Sequence, residues 1–197
     1  MNIHSHVSSA NTSDKREAIL EAALDLFVER GFHGTAVPLI AERAEVGTGT
    51  IYRYFESKEA IVNALYQQWK SKMAGLVSND FPLGRPPREL FTAFWKRMMA
   101  FATENPQAIA FLELNHHAAY LDEHSRALEE RTLTMGRMLL AEMKRLQVVK
   151  DLPAELLIAI MQGIFVSLVR YSKEGCLTLT PEIVEAAEGC AWEAIRR

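Results

Sequence analysis

The sequence predicts an all-α protein with a small three-helix N-terminal part and a larger C-terminal helical bundle. Apolar residues recur at spacings of three and four over most of the chain, as they do along one face of an α-helix. Capping and breaking residues, such as Gly31, Ser57 and Thr180-Pro181, stand where these apolar runs begin or end. The C-terminal part shows no strand alternation, no glycine-rich phosphate loop and no nucleophile elbow, so we expect no enzyme.

Composition limits the size, the location and the cysteine chemistry expected of this chain. The chain has 197 residues, of which 49% are hydrophobic, and a formal net charge of -3. No signal core or apolar run of membrane-spanning length is evident, which predicts a cytoplasmic protein. The two cysteines, Cys176 and Cys190, fit free thiols better than a disulfide framework. No cofactor is indicated.

The N-terminal elements follow in order. Residues 1–13 are polar and predict a disordered arm. A helix begins near Asp14 and ends at Gly31, and Pro38 marks the first turn of a short helix over about 37–44. After a turn at 45–47, a second short helix carries Ile51 and Phe55 on one face. Its hydroxyl-rich outer face carries the remaining polar side chains, Thr48, Thr50, Tyr52 and Arg53.

The rest of the chain is a linking helix and a bundle. Ser57 is predicted to cap a linking helix over residues 58–77. A proline-rich loop follows, and helices are predicted over about 88–103, 106–120, 122–146, 153–174 and 181–197. The predicted domains are therefore an arm (1–13), a three-helix domain (14–57), the linking helix (58–77) and the bundle (78–197).

Two short helices joined by a tight turn indicate a helix-turn-helix, whose second helix enters the DNA major groove. Several motifs occur in an order and spacing that resemble the N-terminal domain of the tetracycline-repressor (TetR) family. They are Ala23-Leu24-Asp25-Leu26-Phe27, Gly31-Phe32, Thr35, Ile40-Ala41-Glu42-Arg43-Ala44, Gly49 to Phe55, and Ser57-Lys58-Glu59-Ala60. Beyond about Leu76 the resemblance is only that the sequence is helical.

The resemblance implies roles by position. Thr48, Thr50 and Arg53 match positions that face the groove or its rim, and Tyr52 and Tyr54 match positions that touch phosphates. Lys58 matches a phosphate-binding lysine, and Thr35 is expected to cap or to donate to phosphate. Two residues depart from the family pattern. Glu45 stands where glycine is usual, which predicts strain in a left-handed turn, and Pro38 replaces a polar side chain.

The chemistry of these side chains supports the same roles. Arg53 is the only cation of the second short helix and can bridge guanine O6 and N7. Hydroxyl groups donate to phosphate and fix register. Tyr52 and Tyr54 could instead pack between helices. The first 75 residues carry eight basic and nine acidic side chains, so DNA binding must depend on placement and on two copies of the helix.

The bundle is rich in aromatic and methionine side chains, which suit an adaptable apolar cavity between helices. The predicted lining residues are Trp95, Met99, Phe111, His117, Tyr120, Met138, Met161 and Phe165. An ordinary filled core is the alternative for each of them, and the cavity as a whole is favoured by the family resemblance.

Glu113 and His117 stand four residues apart and would share one helical face. This pair could orient a ligand, hold a cation, form a buried hydrogen bond or contribute to a metal site. No third ligand is evident, and zinc needs three or four, so we predict no metal.

The last two helices carry stripes of small side chains that predict a homodimer. The first stripe is Ala159, Gly163 and Ser167, and the second is Ile183, Ala187, Cys190 and Ala194. A glycine inside a helix often marks close approach by another helix. Packing within one chain is the alternative.

Together these features predict a cytoplasmic, homodimeric, ligand-responsive transcriptional regulator that binds double-stranded DNA. We expect a repressor that a small apolar or amphipathic effector releases from a palindromic operator. The alternatives are a metal-responsive regulator that uses Glu113 and His117, a helical-bundle enzyme, and an architectural DNA-binding protein.

Overall fold

The computed structural model describes residues 6–114 and 117–197, with side chains from residue 14 onward. The all-α prediction is confirmed. The helices of the described chain are α1 (His6–Arg30), α2 (Val37–Arg43), α3 (Thr48–Tyr54), α4 (Lys58–Ser78), α5 (Pro87–Glu104), α6 (Pro106–Leu114), α7 (Glu123–Arg145), α8 (Ala154–Lys173) and α9 (Pro181–Ile195). Within these residues, extended pairing is limited to one antiparallel bridge between Val149 and Arg196.

Several predicted helix ends are confirmed by their hydrogen bonds. The Ser57 hydroxyl accepts from the Ala60 amide at 3.1 Å, and Thr180 caps α9 in the same way. Gly31 follows α1 with φ of 69°, a conformation that glycine adopts without steric cost. These caps satisfy backbone groups that would otherwise lack partners at the ends of helices.

The structure corrects the sequence prediction in two elements. Helix α1 begins at His6, so residues 6–13 of the predicted arm are helical. The rest of the predicted arm lies outside the described residues. Helix α6 ends at Leu114 instead of near Tyr120, and the chain crosses to α7 through a connection that includes His117–Leu121.

Two hydrophobic cores hold the helices together. The N-terminal core combines α1 to α4 with two residues of the later chain, Phe111 and Leu121. The C-terminal core joins α5 to α9 with Met73 from the end of α4. Trp69 and Leu112 pack against both cores. Helix α4 therefore belongs to both parts, and α6 delivers an aromatic side chain into the N-terminal core.

Helix α8 is unusual for its exposure. By length and composition it could cross a membrane, with a mean hydropathy of 1.5, so the expectation that no segment of this kind exists is wrong. Only 17% of its most apolar window is buried within the chain. Leu157, Phe165 and Val169 are buried, and the other residues of this helix are half-buried or exposed, so one chain covers it only in part.

An ion pair between half-exposed Arg88 and buried Glu188 ties α5 to α9. Glu188 is 5% exposed, and its carboxylate accepts hydrogen bonds from both terminal nitrogens of Arg88 and from the Thr92 hydroxyl. Burial alone would raise the pKa of Glu188, but the hydrogen bonds from Arg88 and Thr92 outweigh it and hold the pKa below its usual value. The Arg88 guanidinium also lies over the Trp192 ring.

We predict that Glu188→Gln lowers the free energy of unfolding by about 1–3 kcal/mol at pH 7, because charged hydrogen bonds are lost in a buried setting. Because the pKa of Glu188 is lower in the folded protein, the stability advantage of the wild type is present above the unfolded pKa of 4.5. It disappears as pH falls through the lower folded-state pKa. Urea unfolding from pH 3 to 7 measures this difference.

The matched control is Glu142→Gln, which breaks the exposed pair with Arg145. Exposed pairs contribute little, so this control should unfold like the wild type at each pH. Equal stability of wild type and Glu188→Gln at pH 7 would contradict the assigned role of the α5–α9 pair.

Candidate nucleic-acid interface and its connection to the bundle

The helix-turn-helix is built on buried apolar anchors. Ile40 and Ala41 of α2 and Ile51 of α3 are buried in the N-terminal core, and Phe55 follows α3 into the same core. Between the helices, Glu45 adopts φ of 52°, so the left-handed turn expected from the family pattern is present. A non-glycine residue in this conformation costs roughly 1–2 kcal/mol. The anchors nonetheless hold α3 in one orientation.

The outer face of α3 carries the predicted DNA-contacting side chains. Thr48 and Arg53 are exposed, and Tyr52 is 55% exposed. Tyr52 therefore does not pack between helices. Thr50 is half-buried, and Tyr54 is half-buried against the N-terminal core. Within the described chain, Arg53 makes no ion pair, so its guanidinium is available to an external acceptor.

The structure corrects the phosphate-donor expectation for Thr35. Its side chain is 0% exposed, and its hydroxyl lies 3.1 Å from the Leu26 carbonyl oxygen and 2.9 Å from that of Gly31. The hydroxyl thus donates to the C-terminal end of α1. The expected cap at the start of α2 is not seen either, because the N-cap residue is Ala36 and no side chain caps this helix.

The Lys58 ammonium group contacts the protein itself, whereas its predicted role is to contact a phosphate. Its Nζ donates to the carbonyl oxygens of Phe32 and Thr35 at 2.7 and 2.8 Å and lies 4.0 Å from the Phe32 ring centroid. An ammonium group has three donors, and two of them hold the α1–α2 loop onto the start of α4. Only the third remains for phosphate.

Asn63 joins α4 to the start of α7. Its amide nitrogen donates to the Glu59 and Tyr120 carbonyls at 2.9 and 2.8 Å. Its amide oxygen accepts from the Asp122 amide at 2.9 Å and from the Ser125 hydroxyl at 2.8 Å. All four hydrogen-bonding positions of this buried side chain are therefore used. We call Asn63, Asp122 and Ser125 the α4–α7 junction.

The connection before α7 also contacts the DNA-binding part directly. The Tyr120 ring stacks on Phe32 with centroids 3.8 Å apart, and its hydroxyl lies 2.8 Å from His33 Nε2. His117 is buried, stacks on Phe111 and donates from Nε2 to the Phe111 carbonyl at 2.8 Å. The segment between α6 and α7 is therefore docked on the α1–α2 loop.

The structure divides most of the predicted ligand-binding residues between the two hydrophobic cores. Trp95, Met99 and Phe165 are buried in the C-terminal core, and Met161 packs against it. Phe111 belongs to the N-terminal core, and Tyr120 packs against that core. Phe111 and Tyr120 thus pack against the N-terminal part of the chain, which the sequence pattern did not indicate.

Two expectations for this set are wrong. Met138 is 70% exposed and lines no interior space. Glu113 and His117 do not share a helical face, because α6 ends between them at Leu114. Glu113 instead accepts from the Gln162 amide at 3.1 Å. Among the described residues, no three His, Cys, Asp or Glu side chains are grouped to hold a metal ion.

The small-residue stripes lie on the outside of the chain. Ala159, Gly163 and Ser167 are exposed along α8. On α9, Cys190 is exposed, and Ile183, Ala187 and Ala194 are half-buried. An open groove of about 630 Å³ follows the α8 stripe. It is lined by Ala159, Ile160, Gly163, Ile164, Ser167, Leu168, Tyr171 and Leu177.

These features define a helix-turn-helix DNA-binding protein with an α-helical C-terminal domain. Residues 19–65 match the model of bacterial regulatory proteins of the tetR family, and residues 66–197 match the tetracyclin repressor-like C-terminal domain. The chain belongs to the TetR family of transcriptional regulators. The boundary between the two models falls inside α4.

Individual relatives agree with this assignment. An HTH-type transcriptional regulator of Haemophilus influenzae is 22% identical over 185 residues, covering 94% of this chain and 97% of the relative. The regulator RutR of Escherichia coli K12 is 48% identical over 60 residues, which cover 30% of this chain and 28% of RutR. The crystal structure of a TetR family regulator from Marinobacter aquaeolei VT8 has a TM-score of 0.82 at 26% identity, covering 95% and 98% of the two chains.

Sequence reasoning missed the α4–α7 junction. A partial signal existed, because Asp122 and Ser125 have the spacing of a helix cap and Asn63 interrupts an apolar run. The Asp122 carboxylate does accept from the Ser125 amide at 2.7 Å. Nothing in the spacing, however, indicates that Asn63 meets this cap from 59 residues away.

We predict that Asn63→Ala lowers the free energy of unfolding by about 2–3 kcal/mol, because the Tyr120 carbonyl and the Ser125 hydroxyl lose their buried partner. Amide hydrogen exchange at Asp122 should accelerate, since that N–H loses its acceptor. The control is Asn79→Ala at the exposed end of α4. Unchanged exchange at Asp122 in the Asn63 variant would contradict the junction.

Proposed function

We propose that this chain is a cytoplasmic, homodimeric repressor that a small-molecule effector releases from a palindromic DNA operator. The observation that carries the proposal is the outer face of α3. This face presents Thr48, Tyr52 and Arg53 to solvent on a helix held rigidly by its buried side. Hydroxyl groups and one unpaired guanidinium are donors suited to phosphates and guanine edges.

Dimerisation supplies what one α3 helix lacks. With seven residues and one cation, α3 offers few contacts, and the whole chain is acidic. Two copies on a twofold axis would double those contacts and read two half-sites about one DNA turn apart, roughly 34–36 Å. The uncovered face of α8 and the neighbouring face of α9 suit this pairing, because small side chains let helices approach closely.

The effector response is proposed to pass through α4. Lys58 attaches the start of this helix to the α1–α2 loop, and Arg97 holds its end through the carbonyls of Val77, Asn79 and Asp80. The α4–α7 junction couples its middle to the bundle. A ligand that favours another packing of α7 against α4 would shift the separation of the two α3 helices and weaken operator binding.

The positions of Glu113 and His117 favour neither a metal-responsive regulator nor an enzyme. Glu113 is engaged by an amide and His117 by a backbone carbonyl, on different elements. This separation favours a regulator that senses an organic molecule over one that senses a metal, and we propose no catalytic role.

We predict that Arg53→Lys reduces the preference for specific over random DNA by about tenfold, because lysine keeps the charge but loses the bidentate fork. A duplex selected from a random pool by the wild-type protein serves as the specific site in a gel-shift titration. The slope of affinity against salt should stay close to that of the wild type, because the positive charge remains.

Arg30→Lys is the matched control, since Arg30 is exposed at the end of α1. It should keep the full preference for the selected duplex. An Arg53→Lys variant with wild-type discrimination would refute base readout by this side chain.

A further inference from the structure

Phe32, in the loop between α1 and α2, is contacted by two side chains from later parts of the chain. The Tyr120 ring stacks on the Phe32 ring with centroids 3.8 Å apart and an angle of 21° between the planes. The Lys58 Nζ lies 4.0 Å from the same Phe32 centroid. Aromatic stacking and a cation–π contact both stabilise this position of the ring. We call Phe32, Lys58 and Tyr120 the Phe32 clamp.

The backbone beside Phe32 leads directly into the helix-turn-helix. Lys58 donates to the carbonyl oxygens of Phe32 and Thr35, and the Thr35 amide donates to the Phe32 carbonyl at 3.3 Å. The next residue, Ala36, is the N-cap of α2, and its carbonyl accepts from the Ile40 amide at 3.3 Å. The loop is therefore hydrogen-bonded as far as the first turn of α2, and its position sets the position of that helix.

Helix α2 in turn positions α3. Ile40 and Ala41 of α2 and Ile51 of α3 are buried in the same N-terminal core, so the two helices pack as one unit. Helix α3 has seven residues and offers few contacts to DNA. Those contacts depend on accurate placement, so a displacement of the loop before α2 would weaken them.

Tyr120 is itself held by several neighbours. Its amide donates to the His117 carbonyl at 2.8 Å, and its carbonyl accepts from the Asn63 side chain at 2.8 Å. Its hydroxyl lies 2.8 Å from His33 Nε2, and the next residue, Leu121, is buried in the N-terminal core. The connection between α6 and α7 therefore presents the Tyr120 ring to Phe32 in a fixed orientation.

We propose that Tyr120 is a positioning residue for DNA binding, which acts through the Phe32 clamp on the loop before α2. It gives the bundle a second attachment to the helix-turn-helix, besides α4. A state of the bundle that withdraws Tyr120 from Phe32 would weaken DNA binding even with α4 in place. This inference rests on the proposed DNA contacts of α3.

Tyr120→Leu tests the ring contact in a gel-shift titration with the selected duplex. Leucine remains apolar but cannot stack, so the loop should occupy its docked position less often and the apparent affinity should fall about threefold or more. The slope of affinity against salt should stay that of the wild type, because no charge is lost. Tyr120→Phe keeps the ring and should restore most of the affinity.

A double variant shows whether Tyr120 acts through Phe32. Phe32→Leu alone should weaken retention of the duplex at least as much as Tyr120→Leu does. Tyr120→Leu/Phe32→Leu should be no weaker than Phe32→Leu, because the contact is already absent. The matched control is Phe81→Leu, which should keep the wild-type affinity. Phe81 is a half-buried aromatic residue after α4 that lies 5.5 Å from the Arg97 guanidinium.

Amide hydrogen exchange of the free protein gives a readout without DNA. Because the Thr35 amide donates to the Phe32 carbonyl, it should exchange faster in Tyr120→Leu than in the wild type and in Phe81→Leu. Circular dichroism checks that each variant is folded.

Four results would each overturn the proposal: wild-type affinity in Tyr120→Leu, a changed salt slope in that variant, additive losses in the double variant, or unchanged exchange at Thr35. Retention of the duplex by the wild type tests the proposed function. The ratio of variant to wild-type affinity tests the positioning role, so the two ideas can fail separately.

Discussion

The uncovered apolar face of α8 is the constraint on which the rest of the structure depends. Among the described residues, this is the one helix long and apolar enough to cross a membrane, yet only 17% of its most apolar window is buried within the chain. Apolar surface of this extent is unfavourable in water. Gly163 stands in the middle of the face with nothing within 4 Å of where a side chain would begin. Its small size is therefore not required by packing within one chain, which suits close approach by a second copy.

A second constraint lies along α4, which is held at three points. Lys58 fixes its start, Asn63 its middle and Arg97 its end. The two hydrophobic cores meet on the same helix through Trp69. A change of packing in the bundle would therefore move the DNA-binding part as a body instead of dissipating in a flexible linker. This rigidity matters more here than in a strongly basic protein, because the few contacts of α3 depend on accurate placement.

Local chemistry explains which features the sequence could predict. Ser57, Thr180 and Gly31 act through hydrogen bonds or backbone angles within four residues of themselves, and all three were placed correctly. The outward face of α3 followed from the spacing of Ile51 and Phe55. The left-handed turn at Glu45 followed from the family pattern and was found as expected.

The errors arise where distant parts of the chain decide the outcome. The apolar and helix-forming residues after Leu114 suggested a longer α6, but docking of Tyr120 on Phe32 requires the chain to leave the helix. Phe111 looked like a cavity residue of the bundle and instead fills the N-terminal core beside Phe27. The polar N-terminal segment is compatible with a helix, and composition alone favoured disorder. The hydrogen bonds of Asn63 depend on the connection before α7 and the start of α7, which no local pattern records.

The proposed arrangement depends on the distance between the α3 helices of two subunits. Spin labels at Glu42→Cys, on the exposed side of α2, would report it once Cys176 and Cys190 are replaced by serine. On the selected duplex, we expect one narrow distance distribution consistent with α3 helices roughly 34–36 Å apart. The absence of any distance between subunits, or a broad distribution that DNA does not narrow, would contradict it.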